Sequence, residues 1–140
     1  MLFVCVKNGG KSQMAAALMR QRHGEAVDVY SAGTRPGDML NAASVASLEE
    51  VGASVTGEHP KPIDPALLDA VDRVIILGEE AHIDHPGNAQ IEQPGTSTTD
   101  RWITDEPSAR GIEGHARMNL IRDDITTRVD ALAAALRHEV

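Results

Sequence analysis

The strongest constraint on this chain is its opening, where the apolar run Leu2-Phe3-Val4-Cys5-Val6 breaks at once into Lys7-Asn8-Gly9-Gly10-Lys11-Ser12. An unbroken apolar run bounded by glycines fits a strand buried on both faces, as in a parallel sheet. Ser12 stands where it can cap a following helix, and Met14, Leu18 and Met19 give that helix an apolar stripe. Strand, tight loop and helix in that order predict the α/β class.

The rest of the chain continues the alternation. Residues 27–30 read as a second strand, closed by Ser31-Ala32-Gly33-Thr34. Residues 42–51 read as a helix that stops at Gly52, and Val55 as the start of a short extended piece. His59-Pro60-Lys61-Pro62 must be irregular, because each proline removes a donor and restricts its neighbour. Pro65 suits the first turn of a short helix with Leu67 and Leu68, and 74–77 (Val-Ile-Ile-Leu, entered from Asp72-Arg73) is the clearest central strand. The polar stretch 84–110 reads mostly as loop, with one strand at Ala89-Gln90-Ile91. A long helix is expected over 111–138, where Leu120, Ile121, Ile125, Val129, Leu132 and Leu136 recur at threes and fours. The expected architecture is one domain over residues 1–140, an α/β three-layer sandwich around a parallel sheet of about four strands.

The net charge of −8 argues against a nucleic-acid or anionic-membrane surface, since both reward lysine and arginine. With only Phe3, Tyr30 and Trp102 as aromatics, base-stacking platforms are not available in number. A small anion is still an acceptable substrate, because local dipoles can outweigh a distant acidic surface. The N-terminus does not read as a signal peptide, and no apolar stretch is long enough to span a bilayer. A lone cysteine cannot form an internal disulfide, so the expected address is the reducing cytoplasm. His23, His82, His115 and His138 lack metal-ligand spacing, and His82, Asp84 and His85 read as polar loop, so no metal is expected.

The loop after the first strand is where chemistry is expected, because ligands of open α/β sheets sit beyond the carboxyl ends of the strands. Gly9 and Gly10 let backbone N–H groups turn inward into an anion nest, to which the next helix adds its positive end. The same dipoles favour the thiolate form of Cys5, the nucleophilic one. Lys11 supplies positive charge, the Ser12 hydroxyl can donate to the sulfur, and Val6, Lys7, Asn8, Gly9 and Gly10 complete the oxyanion cradle. The spacing fits neither a Walker A loop nor a dinucleotide fingerprint. The plain alternative is a structural cysteine beside a phosphate-binding loop.

This loop resembles the Cys-x5-Arg-Ser/Thr signature of low-molecular-weight protein tyrosine phosphatases and of the arsenate reductases that share their fold. The resemblance continues through Ser12-Gln13-Met14-Ala15, Ser31-Ala32-Gly33-Thr34, His59-Pro60-Lys61-Pro62-Ile63-Asp64, Asp72 to Leu77, Trp102 to Pro107 and Arg122-Asp123-Asp124-Ile125. The Ser-Gln-Met-Ala stretch and the tryptophan before the acid-Pro loop look more like the arsenate reductase branch. The resemblance implies that Cys5 is the nucleophile and that the carboxylate before Pro107 is a general acid. Glu106 has the matching position and Asp105 the matching side chain, so both are candidates.

Two departures shape the functional expectation. Where the family has arginine this chain has Lys11, a point charge in place of a planar fork, which lessens the expectation of efficient phosphomonoester hydrolysis. Thioredoxin-coupled arsenate reductases carry two further cysteines, whose places here are Gly78 and His85. With one thiol, resolution must come from outside. The resemblance therefore implies an arsenate:thiol transferase with no bound cofactor, in which either Cys5 attacks arsenic or the loop positions arsenate for attack by the co-substrate, mycothiol or another small thiol such as glutathione. A mycoredoxin or glutaredoxin-like reductase would then act on the product. The alternatives are a low-molecular-weight phosphatase and a non-catalytic oxyanion-binding module. The slots around Cys5 left open are Asn8, read as loop support, Ser31 and Thr34 as braces, and Lys7 and Arg35 as a widened positive mouth.

Overall fold

The computed structural model describes residues 1–83 and 98–138. Four parallel strands run in the order β2-β1-β3-β4: β1 Leu2–Cys5, β2 Tyr30–Gly33, β3 Arg73–Leu77 and β4 Thr98–Trp102. Helices α1 Lys11–His23, α2 Ala42–Glu50, α3 Pro65–Ala70 and α4 Gly114–His138 cover the two faces, and a 3₁₀ turn spans Pro107–Arg110. This is the expected α/β three-layer sandwich with a four-stranded parallel sheet.

Side chains alternate across a strand, so a strand buried on both faces feeds two cores. Phe3, Ile75 and Leu77 pack with Met14, Leu18, Ile121, Ile125 and Val129 under α1 and α4. Leu2, Val4, Val74 and Ile76 pack on the other face with Leu68 and Val71, in and just after α3. On α4 the buried residues recur every fourth position, at Ile121, Ile125, Val129 and Ala133. Leu120 faces out of that stripe and is exposed. Each fully buried leucine or isoleucine contributes about 1.5–3 kcal/mol of transfer free energy. The register of Leu2 opposite both Tyr30 and Val74 brings Cys5 to the C-terminal edge of the sheet, beside Gly33.

Several expectations are corrected. The second strand lies three residues later than 27–30, at Tyr30–Gly33. Ser31, Ala32 and Gly33 are small because β2 runs close to the loop after β1. A Cβ on Gly33 would stand 2.7 Å from the Val6 carbonyl oxygen and 3.0 Å from the Asn8 side chain. Val27 and Val29 pack against the core from outside the sheet. Ser12 is not a cap: α1 begins at Lys11 after Gly10, and Ser12 is fully buried inside the first turn. Nor does α1 show a stripe, since Ser12 to Met19 are all buried between the sheet, α2 and α4.

Residues 98–102, read as loop, form the edge strand β4, held by pairing with β3 rather than by its own polar sequence Thr-Thr-Asp-Arg-Trp. No strand starts at Val55, whose carbonyl closes a turn from the Glu58 N–H. The long helix starts at Gly114, three residues after the expected Gly111, which instead ends the 3₁₀ turn with φ of 78°. Ala89-Gln90-Ile91, Asp84 and His85 lie outside the described residues.

Gly33→Ala tests the close approach. The added methyl meets backbone rather than a flexible side chain, so urea unfolding should show a loss of about 1–3 kcal/mol, with no change for Gly57→Ala beyond its own positive-φ cost.

Candidate active site

Six carbonyls shape the loop from outside. Those of Cys5, Val6, Lys7 and Gly9 accept from the N–H groups of Thr34 (3.0 Å), Arg35 (2.8 Å), Gly37 (3.0 Å) and Asn41 (2.7 Å). The Asn8 carbonyl accepts from Gln13 Nε2 at 3.1 Å, and that of Gly10 from Met14 N at 2.9 Å as α1 starts. No peptide bond of the described chain is cis. In a planar trans peptide the N–H points opposite to the carbonyl. Outward carbonyls from Cys5 to Gly10 therefore turn the N–H groups of Val6, Lys7, Asn8, Gly9, Gly10 and Lys11 inward, an anion nest at a helix N-terminus.

Cys5 sits in the mouth of this cradle, partly exposed. Its sulfur is 2.9 Å from Ser12 Oγ and accepts from the Asn8 backbone N–H at 3.2 Å. Asn8 is fully buried and takes φ of 54°, a left-handed conformation that asparagine tolerates better than most residues. Its Nδ2 donates to Ser12 Oγ at 2.7 Å, and its Oδ1 accepts from Gln13 Nε2 (3.2 Å) and the Lys61 backbone N–H (3.1 Å). Asn8 thus supports the loop as expected. Ser31 receives Lys61 Nζ at 3.3 Å, and Thr34 braces the loop through its backbone. Lys7 and Arg35 are exposed at the rim.

Lys11 opens α1, and its charge reaches Glu106 across the mouth. The acid loop follows β4. Its base is Trp102, buried and tilted against Phe3 at 5.9 Å between ring centroids. Both candidate acids are paired. Arg110 forks both oxygens of Asp105 at 2.8 and 3.0 Å, holding that carboxyl below the usual carboxylate range. The Asp105 backbone N–H donates to Asp124 at 2.6 Å. Glu106 is held below its range first by the Ser108 hydroxyl and next by Arg117, with a smaller pull from Lys11. Ser108 Oγ (2.7 Å), Arg117 Nε (2.9 Å) and Arg117 Nη2 (2.7 Å) all converge on Oε1. The cradle, Cys5, Lys11, Ser12 and Glu106 thus gather at one end of the sheet, while Asp105 is engaged by an exposed arginine.

Gln13, Lys61, Ser108, Arg110 and Arg117 are the residues sequence reasoning did not assign. Gln13 and Lys61 lie in stretches already singled out, but Arg117 reaches Glu106 from α4 with no local signal. Gly78, the place expected for a second thiol, is a left-handed turn (φ 94°) after β3. Among the described residues no group of three potential ligands could hold a metal ion, and no helix is long and apolar enough to cross a membrane.

Comparison with known proteins follows the same lines. The model of the low molecular weight phosphotyrosine protein phosphatase family matches residues 1–140. The chain is 31% identical to an arsenate reductase of Bacillus subtilis, covering 94% of this chain and 92% of that one. It is 28% identical to a putative arsenate reductase of Halobacterium salinarum, covering 91% and 85%. Among solved structures it superposes on the thioredoxin-dependent arsenate reductase of Corynebacterium glutamicum with a TM-score of 0.76 at 27% identity. That match covers 99% of this chain but 62% of the longer one.

The paired acids give a pH test. A carboxylate with a lowered folded pKa contributes stability that is present above its unfolded value and lost as pH falls through the folded one. Carboxyl NMR titration should find Glu106 and Asp105 protonating below their ordinary ranges. Arg117→Met should move Glu106 part of the way back up and leave Asp105 in place. The effect on global stability should be small, because the Arg117–Glu106 pair is one-third to one-half exposed.

Proposed function

The chain belongs to the low molecular weight phosphotyrosine protein phosphatase family, and from that premise we propose that it is an arsenate reductase working as an arsenate:thiol transferase. The observation that carries the proposal is the lone thiol at the cradle, with a glycine turn where a second thiol would be needed. The relatives named arsenate reductase support the substrate, and the inward N–H groups suit a tetrahedral oxyanion. Mycothiol is the co-substrate we favour among small thiols, with a mycoredoxin or glutaredoxin-like protein reducing the product.

The chemistry balances without a bound cofactor. A thiol and arsenate give an arseno-thiol and water: the S–H bond and one As–O bond break, while an S–As bond and an O–H bond form. Arsenic is not yet reduced at this step; reduction follows when a second thiol attacks the sulfur and the electron pair of the S–As bond stays on arsenic. The cradle and Lys11 hold the oxyanion, and Cys5 faces it with Ser12 able to donate to its sulfur. Glu106, with one oxygen saturated by three donors, rests as a carboxylate and has the other oxygen to take the proton released by the arriving thiol and pass it to the departing oxygen. Asp105 has both oxygens in the Arg110 fork, so Glu106 is the better placed acid.

Thioredoxin and its reductase, given arsenate and NADPH but no small thiol, should sustain almost no turnover. Adding mycothiol or glutathione with a glutaredoxin-like partner should restore it, and mass spectrometry should find the oxidised or arsenylated species on the small thiol. Robust turnover with thioredoxin alone sinks the external-thiol mechanism. Cys5→Ser should abolish turnover while oxyanion affinity falls less, because the backbone nest remains.

Lys11 separates this reading from a phosphatase. Lys11→Arg should raise hydrolysis of p-nitrophenyl phosphate by restoring the fork. Lys11→Ala should weaken arsenate binding by about 1–3 kcal/mol, the size of a lost charge-assisted hydrogen bond. Normal arsenate binding by Lys11→Ala would place the lysine in solvent.

A further inference from the structure

Lys61 lies 56 positions from Cys5 in sequence, yet its ammonium reaches the loop that carries the nucleophile. Nζ lies 3.1 Å from the His59 carbonyl, 3.3 Å from Ser31 Oγ, 3.3 Å from Glu58 Oε1 and 3.5 Å from Asn8 Oδ1. Ser31 and Asn8 are buried, while the lysine side chain is one-third exposed, so a long stem delivers a charge inward from the surface. The backbone is tied in as well: Gly33 N–H donates to the Lys61 carbonyl at 2.8 Å, and Pro62 bridges to Gly33.

The bonds on Asn8 have a fixed direction. A backbone N–H can only donate, so the bond from Lys61 N defines Oδ1 as the acceptor end of the amide. Nδ2 must then face Ser12 Oγ, as it does at 2.7 Å. Ser12 Oγ lies 2.9 Å from Cys5 Sγ, where either group can donate, and when the sulfur is a thiolate, which only accepts, the hydrogen is that of the Ser12 hydroxyl. The Asn8 backbone N–H donates to the same sulfur. Both donors on the sulfur are thus set by the orientation of Asn8.

We propose that Lys61 is a positioning residue for Cys5: its ammonium is an internal cation that gathers the oxygens of Asn8, Ser31 and His59 and so keeps the Asn8–Ser12 relay donating towards the sulfur. Without the cation those oxygens face one another with too few donors, and the segment carrying the Lys61 N–H is pushed off Asn8. Glu58 offsets part of the charge and is itself shared with Arg20 at 3.8 Å, so the role is chiefly to hold geometry. The inference concerns the nucleophile and holds whichever oxyanion the loop receives.

The test therefore needs no substrate: the rate of Cys5 alkylation by iodoacetamide at neutral pH on folded protein. Lys61→Met keeps the stem and should slow alkylation by roughly tenfold, because a charge-assisted bond acts here through two intermediaries. Lys61→Arg should recover the rate to within about threefold, since its guanidinium still donates to the same oxygens. Arg22→Met, which breaks a surface pair with Asp130, should change nothing. A wild-type rate for Lys61→Met, or a Lys61→Arg as slow as Lys61→Met, overturns the proposal. If Lys61→Met does not fold, Glu58→Gln decides: it leaves the ammonium on its other three oxygens and should alkylate at or above the wild-type rate, and a slower rate overturns the proposal.

Discussion

The carbonyls of Cys5 to Gly10 are each taken by a neighbour: the exit of β2 receives two of them, the chain leading to α2 receives two more, and α1 receives the last two. This outside-in satisfaction is the constraint on which the site depends. Any one of these bonds contributes only about 1 kcal/mol net, but a buried carbonyl without a partner costs about 1–3 kcal/mol. The arrangement of the loop leaves none of these carbonyls stranded, and in it the N–H groups converge. Asn8 carries the strain of that arrangement at φ of 54°, which its buried side-chain bonds hold in place.

That geometry needs a rigid base, which the sheet supplies. β1 is the second strand of four and is buried on both faces, so its end is fixed by β2 on one side and β3 on the other. Gly33 beside Cys5 lets β2 come close enough for Thr34 and Arg35 to reach the loop. A side chain there would push β2 away and release two of the outward carbonyls. The small residues of Ser31-Ala32-Gly33 thus serve the active site through the sheet rather than through a turn.

What was legible in the sequence was local and periodic. The run Leu2 to Val6, the Val74 to Leu77 strand and the fourfold spacing of Ile121, Ile125 and Val129 each carry their own signal, and the loop between Cys5 and Ser12 announces its chemistry by composition. What was illegible depends on partners far along the chain. β4 has a polar sequence and is a strand only because β3 pairs with it. β2 was displaced because small residues read as a turn when the close neighbour that demands them is unseen. Ser12 resembles a cap in isolation, yet its hydroxyl is drawn inward by Asn8 and Cys5. Arg117 and Lys61 reach the site from 11 and 53 positions beyond the residues they hold, Glu106 and Asn8.

Lysine in place of arginine at position 11 gains sense from its surroundings. An arginine there would present a fixed fork to two oxygens of the oxyanion, and a strong bidentate partner for Glu106 as well. An ammonium has no plane to align and can turn its donors between the oxyanion and the carboxylate. The guanidinium that Glu106 does meet, Arg117, approaches from α4, and with Ser108 it occupies Oε1. Orientation of the carboxylate is therefore set by α4 and the 3₁₀ turn, and in the proposed reading charge in the cradle is left to Lys11. In the proposed transfer, negative charge passes from the arriving sulfur to the departing oxygen, and a cation free to follow it is better suited than one locked to a single pair of oxygens. The cost is weaker clamping of a planar array of equatorial oxygens, which is the demand phosphoryl transfer makes most strongly.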